Sequence, residues 1–218
     1  SNELKGVLIS TYEKLSTNKP FDLSTDSIGK RALKNLCLKY LVNSDSHELA
    51  YEQFNSANCM TDKMASFEAL IRTHNPYFDE VIERIYNEFM NDAQVIDMWF
   101  SYQSLSPLMT PSRVEDLIGH RLFSIKNPNR VRSLIGAFTQ NHHQFHCRDG
   151  YRLFGEFILE LDSINPQVAA RLVGIFNLWK KYTSNYSELQ RKELEVIRAT
   201  RNLSNNVFEI VNIALEDE

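Results

Sequence analysis

Four times in this chain a residue suited to capping a helix is followed at once by proline: Asn75-Pro76, Thr110-Pro111, Asn127-Pro128 and Asn165-Pro166. Asparagine and threonine side chains accept a hydrogen bond from an N–H of the first helical turn. Proline fits that turn because its missing N–H would have no helical partner there. After each pair, apolar residues return every three or four positions. The run after Asn75 is Phe78, Val81, Ile82, Ile85, Tyr86 and Phe89; the run after Asn127 is Val131, Leu134, Ile135 and Phe138. Val114, Leu117 and Ile118 follow Thr110, and Val168, Leu172, Ile175 and Phe176 follow Asn165. This is the period of one buried face on an α-helix.

The rest of the chain obeys the same period. Leu4, Val7, Leu8, Tyr12 and Leu15 predict a first amphipathic helix, and Ser16–Ser27, polar and containing Pro20, predicts a linker. Asp26 or Ser27 can cap a helix with the stripe Ile28, Ala32, Leu33, Leu36, Cys37, Tyr40 and Leu41. Shorter helices are expected around Leu49, Ala50 and Phe54, and around Met64, Phe67, Leu70 and Ile71, with Thr61 as the cap of the second. Val95, Met98 and Trp99 mark another. A helix carrying Tyr151, Phe154, Phe157, Ile158 and Leu161 follows Arg148-Asp149-Gly150. Two more are marked by Tyr186, Leu189, Leu194 and Ile197, and by Val207, Phe208, Ile210 and Val211, with Ser204 as the cap of the last.

No run alternates with period two, and only 7 glycines and 6 prolines interrupt 218 residues. The expectation is an all-α fold of about twelve helices. Short connections make consecutive helices antiparallel neighbours. Stacked helical hairpins of this kind build a HEAT-like superhelix or bowl, with a concave face for binding. The Asn-Pro spacing is irregular, so no clean sequence repeat is present. A single domain over residues 1–218 is expected, with residues 1–27 as a helix and linker leading in.

Composition removes several function classes. The net charge of −4 argues against a nucleic-acid surface, which needs a concentrated basic face. No apolar run approaches the roughly 20 residues of a membrane span, and no basic segment followed by an apolar block opens the chain. Cys37, Cys59 and Cys147 are an odd number without a CxxC, which fits a reducing, cytoplasmic compartment. There is no P-loop, no GxGxxG and no GxSxG. Trp99 and Trp179 sit on helical stripes and read as core, Cys37 as a buried thiol, and Asp92, Asp97, Glu115 and Asp116 as solvated helix charges.

Two constellations carry chemistry. Gln167 and Arg171 stand at i and i+4 and share one helix face, with Gly174 further along it. Arg132 falls off the apolar stripe of its helix, and Gly136 lies one turn on, where glycine costs about 1 kcal/mol relative to alanine and asks for a reason such as close approach. Guanidinium presents a planar fork of donors, so two arginines facing one cavity suit a peptide's terminal carboxylate; solvated arginines or structural ion pairs are the plainer reading. The second set is His142, His143, His146 and Cys147. His142 and His146 at i and i+4 could share a metal, yet no second ligand cluster and no carboxylate at a diagnostic offset accompany them. A capping or loop-packing histidine is the expectation there, with no metal bound.

Lys126–Phe138, KNPNRVRSLIGAF, also resembles a signature of the C-terminal helical domain of bacterial aminopeptidase N, a zinc-dependent peptidase. IGKRALKNLCLKYL at Ile28–Leu41 resembles the start of that domain, and INPQVAARL at Ile164–Leu172 a later helix, in the right order. The resemblance implies a non-catalytic domain that caps the active-site chamber, restricts access and faces peptide substrates. It implies that Arg132, Gln167 and Arg171 line that chamber on the side holding the substrate beyond the scissile bond. The family keeps a histidine matching His146 and an acidic-glycine turn like Asp149-Gly150, although the turn is shorter here. A zinc peptidase of this family needs HExxH, and His47-Glu48 is followed by Leu49, Ala50 and Tyr51. The chain is therefore expected to be inactive alone, with zinc and chemistry in the parent enzyme and that enzyme's catalytic domain as its partner. The alternative is a stand-alone helical scaffold that binds a protein or peptide.

Overall fold

The computed structural model describes residues 2–17 and 20–216. Asn18 and Lys19 of the expected linker lie outside the described residues, as do Ser1, Asp217 and Glu218. Twelve α-helices and no strand are present among the described residues, so the all-α expectation holds. The chain divides after Trp99 into two compact units.

The first unit holds α1 (Lys5–Leu15), α2 (Thr25–Val42), α3 (His47–Ser56), α4 (Met60–Leu70), α5 (Phe78–Phe89) and the start of α6 (Ala93–Leu105). Consecutive helices pair, α1 on α2 and α3 on α4, and α2 also packs on α4. Leu38, Leu41, Phe54, Phe67 and Leu70 are fully buried between them. A polar network runs through this core. The Lys34 ammonium lies 2.5 Å from the Asp62 carboxylate, and Asn35 donates to the other Asp62 oxygen at 2.8 Å. The Gln53 amide donates to Asn35 and Ser66, and the Tyr12 hydroxyl donates to Gln53.

Several helix starts differ from expectation, each for a local reason. Helix α2 begins one turn early because Ser24, held by Asp22, accepts the N–H of Ser27. Helix α4 begins at Met60 behind Cys59, without the Thr61 cap. Asn75 does not cap α5. Its carbonyl accepts from the Tyr77 N–H while its amide donates to the Leu70 and Thr73 carbonyls, so it braces the turn before the helix. Asp92 is no idle surface charge, since it accepts from the N–H groups of Gln94 and Val95 and starts α6. Trp99 is core, as expected, and donates to the Ile82 carbonyl.

The second unit continues with α7 (Pro111–Ile118), α8 (Pro128–Val131), α9 (Arg148–Asp162), α10 (Pro166–Val173), α11 (Ser184–Ala199) and α12 (Asn205–Leu215). Thr110 and Asn165 cap their helices as the sequence predicts, and Asn127 accepts from Asn129. Ser204 caps α12 and is itself gripped by the Asp162 carboxylate. Helices α10 and α11 both pack on α9 and on α12. The core is aromatic. The Phe145 ring meets those of Phe138, Tyr151, Phe154 and Phe176 at centroid distances of 5.2 to 6.5 Å, mostly edge to face. Gly150 is obligatory here: a Cβ would stand 2.3 Å from the Phe145 carbonyl oxygen. Tyr186 and Phe208, expected on buried stripes, are instead 41% and 46% exposed.

Candidate functional site

Helix α8 does not continue as a regular α-helix. From Arg132 to Gly136 it widens into a π-helical turn, in which the Ala137 N–H reaches back five residues to the Arg132 carbonyl. Such turns are rare and recur at functional sites. The apolar stripe survives the widening: Val131, Leu134, Ile135 and Phe138 are all buried. Arg130 turns inward, donating to the Leu122 carbonyl and covering the Phe100 ring, so it is structural. Arg132 points the other way and is exposed.

Across from this turn, α10 ends at Val173 and tightens into a 3-10 segment, Gly174–Lys181. Helix α10 presents Gln167 and Arg171 on one exposed face. The two segments enclose an open groove of about 710 Å³. Its exposed rim is Arg132, Gln140, Gln167 and Arg171; the deeper lining is Val168, Leu172 and Ile175 from α10 and the segment after it, and Gly136 and Thr139 from the other segment. All three residues singled out in the sequence therefore line one groove. Gly136 does sit beside Arg132, since an added Cβ would lie 3.8 Å from the Arg132 Cβ. Nothing closer presses on it, so the fold does not demand glycine there; its bareness widens the groove instead. Gly174 lies outside the lining.

The electrostatics of the groove are one-sided. No carboxylate lines it. Arg132 makes one long hydrogen bond, 3.3 Å to the Asn129 side chain, and neither Arg132 nor Arg171 has an acidic partner among the described residues. Two guanidiniums without counter-charges at one opening are poised for an anion. Thr139 and Gln140, which the sequence reading missed, both turn their side chains to the Gly136 carbonyl, at 2.8 and 3.4 Å. The Gln140 N–H goes to the Ala137 carbonyl, which leaves that acceptor to the side chains. The signal available was position only: both residues directly follow the apolar stripe.

The histidine cluster lies beyond. Cys147 caps α9, its sulfur accepting from the Gly150 N–H. His146 packs against Phe145, Tyr151, Tyr182 and Tyr186. Gln190 donates to the buried Tyr151 oxygen at 3.0 Å, and the Tyr151 hydroxyl pairs with His146 Nδ1 at 2.7 Å. His146 Nε2 faces His142 Nδ1 at 3.4 Å. Burial, and after it the nearby His142, lowers the His146 pKa; burial raises that of Tyr151. His146 is thus a packing histidine inside a hydrogen-bonded chain. No three His, Cys, Asp or Glu side chains converge among the described residues, so no described constellation fits a catalytic zinc. No described helix is long and apolar enough to cross a membrane.

Comparison with known proteins agrees with this architecture. Residues 1–216 match the family described as "Domain of unknown function (DUF3458_C) ARM repeats". The chain is 34% identical over 222 residues to aminopeptidase N of Escherichia coli K12, covering 99% of this chain and 25% of that protein. It is 32% identical to aminopeptidase N of Caulobacter vibrioides over 94% of this chain and 24% of the relative. Among solved structures it matches Legionella pneumophila aminopeptidase A, crystallised with aspartic acid. That match has a TM-score of 0.88 and 30% identity, over 98% of this chain and 27% of that one. The chain thus spans about a quarter of the length of the relatives it matches. It belongs to the DUF3458_C family of ARM-repeat domains and corresponds to the C-terminal domain of the bacterial aminopeptidases N.

Proposed function

We propose that this domain serves a zinc aminopeptidase by holding the far end of short peptides while another part of the polypeptide removes the N-terminal residue. The observation that carries the reading is the pair Arg132 and Arg171: two guanidiniums without carboxylate partners at one groove. A peptide's terminal carboxylate supplies the missing negative charge, and Gln167, one turn before Arg171, offers an amide to the last peptide bond. The domain has no HExxH and performs no chemistry itself. In the parent enzyme it caps the active-site chamber, limits entry to short chains and excludes water, which strengthens the arginine contacts. The parent works in the cytoplasm and carries the zinc on its catalytic domain, the partner of this one.

The test is a binding and cleavage comparison in the parent enzyme. Arg132→Ala and Arg171→Ala are expected to weaken tripeptide binding about tenfold each while leaving a single aminoacyl amide, which has no terminal carboxylate, unchanged. Equal losses for both substrates would make the arginines structural. The second reading, a stand-alone scaffold, draws on α2. Leu33, Leu36 and Tyr40, at i, i+3 and i+7, are 47%, 50% and 50% exposed and form an uncovered apolar stripe suited to a protein surface.

A further inference from the structure

The groove has a second chemical character that the arginines do not account for. Beneath the polar rim, three aliphatic side chains from α10 and the 3-10 segment after it make the floor: Val168, Leu172 and Ile175. Val168 and Ile175 are half-buried, although their neighbours Ala169 and Val173 are fully buried in the core. An aliphatic wall turned to an open groove is covered only when something fills it. Gly136 keeps the facing side bare, since a Cβ there would meet nothing closer than 3.8 Å.

Building on the carboxylate reading above, we infer that the groove also selects the last side chain of the peptide, and that it takes an apolar one. With its carboxylate between Arg132 and Arg171 on the rim, the residue bearing it has its side chain beside the floor. A leucine or phenylalanine there covers Val168 and Ile175 and removes apolar surface from water. An acidic side chain would satisfy the arginines but lose its hydration against the aliphatic floor, and glycine would leave the floor wet. The specificity residues are therefore Val168 and Ile175, with Leu172 as the rigid base behind them.

The test is a titration of this chain with three peptides, Ala-Ala-Leu, Ala-Ala-Gly and Ala-Ala-Leu amide, followed through the backbone amide resonances of Gly136 and Gln140. The expected result is that Ala-Ala-Leu binds roughly tenfold tighter than Ala-Ala-Gly, the low end of the gain from burying a leucine side chain because the groove stays open. Ile175→Ser and Val168→Ser should erase that preference and leave the acid-over-amide preference intact. Both positions are half-exposed; if one variant fails to fold, the other carries the test, and the peptide series on the unaltered chain needs neither. Equal binding of the leucine and glycine peptides, with the acid still preferred to the amide, would overturn the apolar floor and spare the carboxylate reading. A leucine preference that survives both serine variants would equally overturn it. Indifference between acid and amide, or no response at Gly136 and Gln140, would sink the carboxylate reading and this inference with it.

Discussion

The two units solve the same problem, burying one face of each helix, with opposite materials. The first places an ion pair inside its core: Lys34 and Asp62 are each about nine-tenths buried and are held by Asn35, Gln53, Ser66 and Tyr12. The second fills the middle of its core with rings around Phe145, and its buried polar groups pair separately around them: Gln190 with Tyr151 and His146, Asn141 with the Ser104 and Ser106 carbonyls, Asp162 with Ser204. The contrast teaches where each unit is fragile. A buried ion pair contributes little net stability over apolar residues of the same shape, yet losing one member strands a charge. The ring cluster around Phe145 holds no ion pair to strand but cannot collapse around a missing ring.

The largest effects should come from single deletions in either core. Phe145→Ala and Asp62→Ala are each expected to cost about 3–5 kcal/mol in urea unfolding, the first by opening a cavity and the second by leaving Lys34 buried and unpaired. The comparison then turns on the repaired variants. Lys34→Met with Asp62→Leu should regain most of the loss, whereas Phe145→Leu should regain only part. Full recovery by Phe145→Leu, or none in the double variant, would collapse the distinction between the two cores.

A smaller effect belongs to the pairing of Gln190 with Tyr151 and His146. Tyr151→Phe leaves the Gln190 amide and His146 Nδ1 without their shared partner and should cost about 1–3 kcal/mol. Its pH dependence has a definite sign. Burial holds the His146 pKa below the ordinary 6.5, so the folded chain favours the neutral ring. That contribution is fully present above pH 6.5 and is lost as the pH falls from there through the lowered value. His120, also lowered by burial, acts in the same direction. Urea midpoints measured between pH 7.5 and 5.5 should therefore drop, and His146→Gln should flatten part of the drop; an unchanged slope would remove His146 from the account.

The smallest effects on stability are expected at the groove itself. Arg132, Gln167 and Arg171 are exposed, and replacing any of them by alanine should change stability by no more than about 0.5 kcal/mol. Gly136→Ala should also fold, since the added carbon meets only ordinary contacts, and should narrow the groove. A large destabilisation from Arg171→Ala, read in a thermal melt, would mean that the arginine holds the fold together after all.

The helices were legible in the sequence because their determinants are local. Thr110-Pro111 and Asn165-Pro166 set their own helix starts, and the stripe Val131, Leu134, Ile135 and Phe138 had one face to bury whatever the neighbours were. The pairing of Gln167 with Arg171 followed from helical spacing alone, and the family resemblance pointed to Arg132. The same stripe, however, is compatible with a regular helix or with the π turn that actually forms over Arg132–Gly136, because four residues span about one turn in either. That turn, the reversal of Arg130 into the core, the floor of Val168 and Ile175, and the missing acidic partners of the two arginines all depend on which helices lie opposite. Local signals set where a helix starts and which of its faces is apolar; packing decides whether the helix stays regular, which side chains it buries and which it leaves facing a groove.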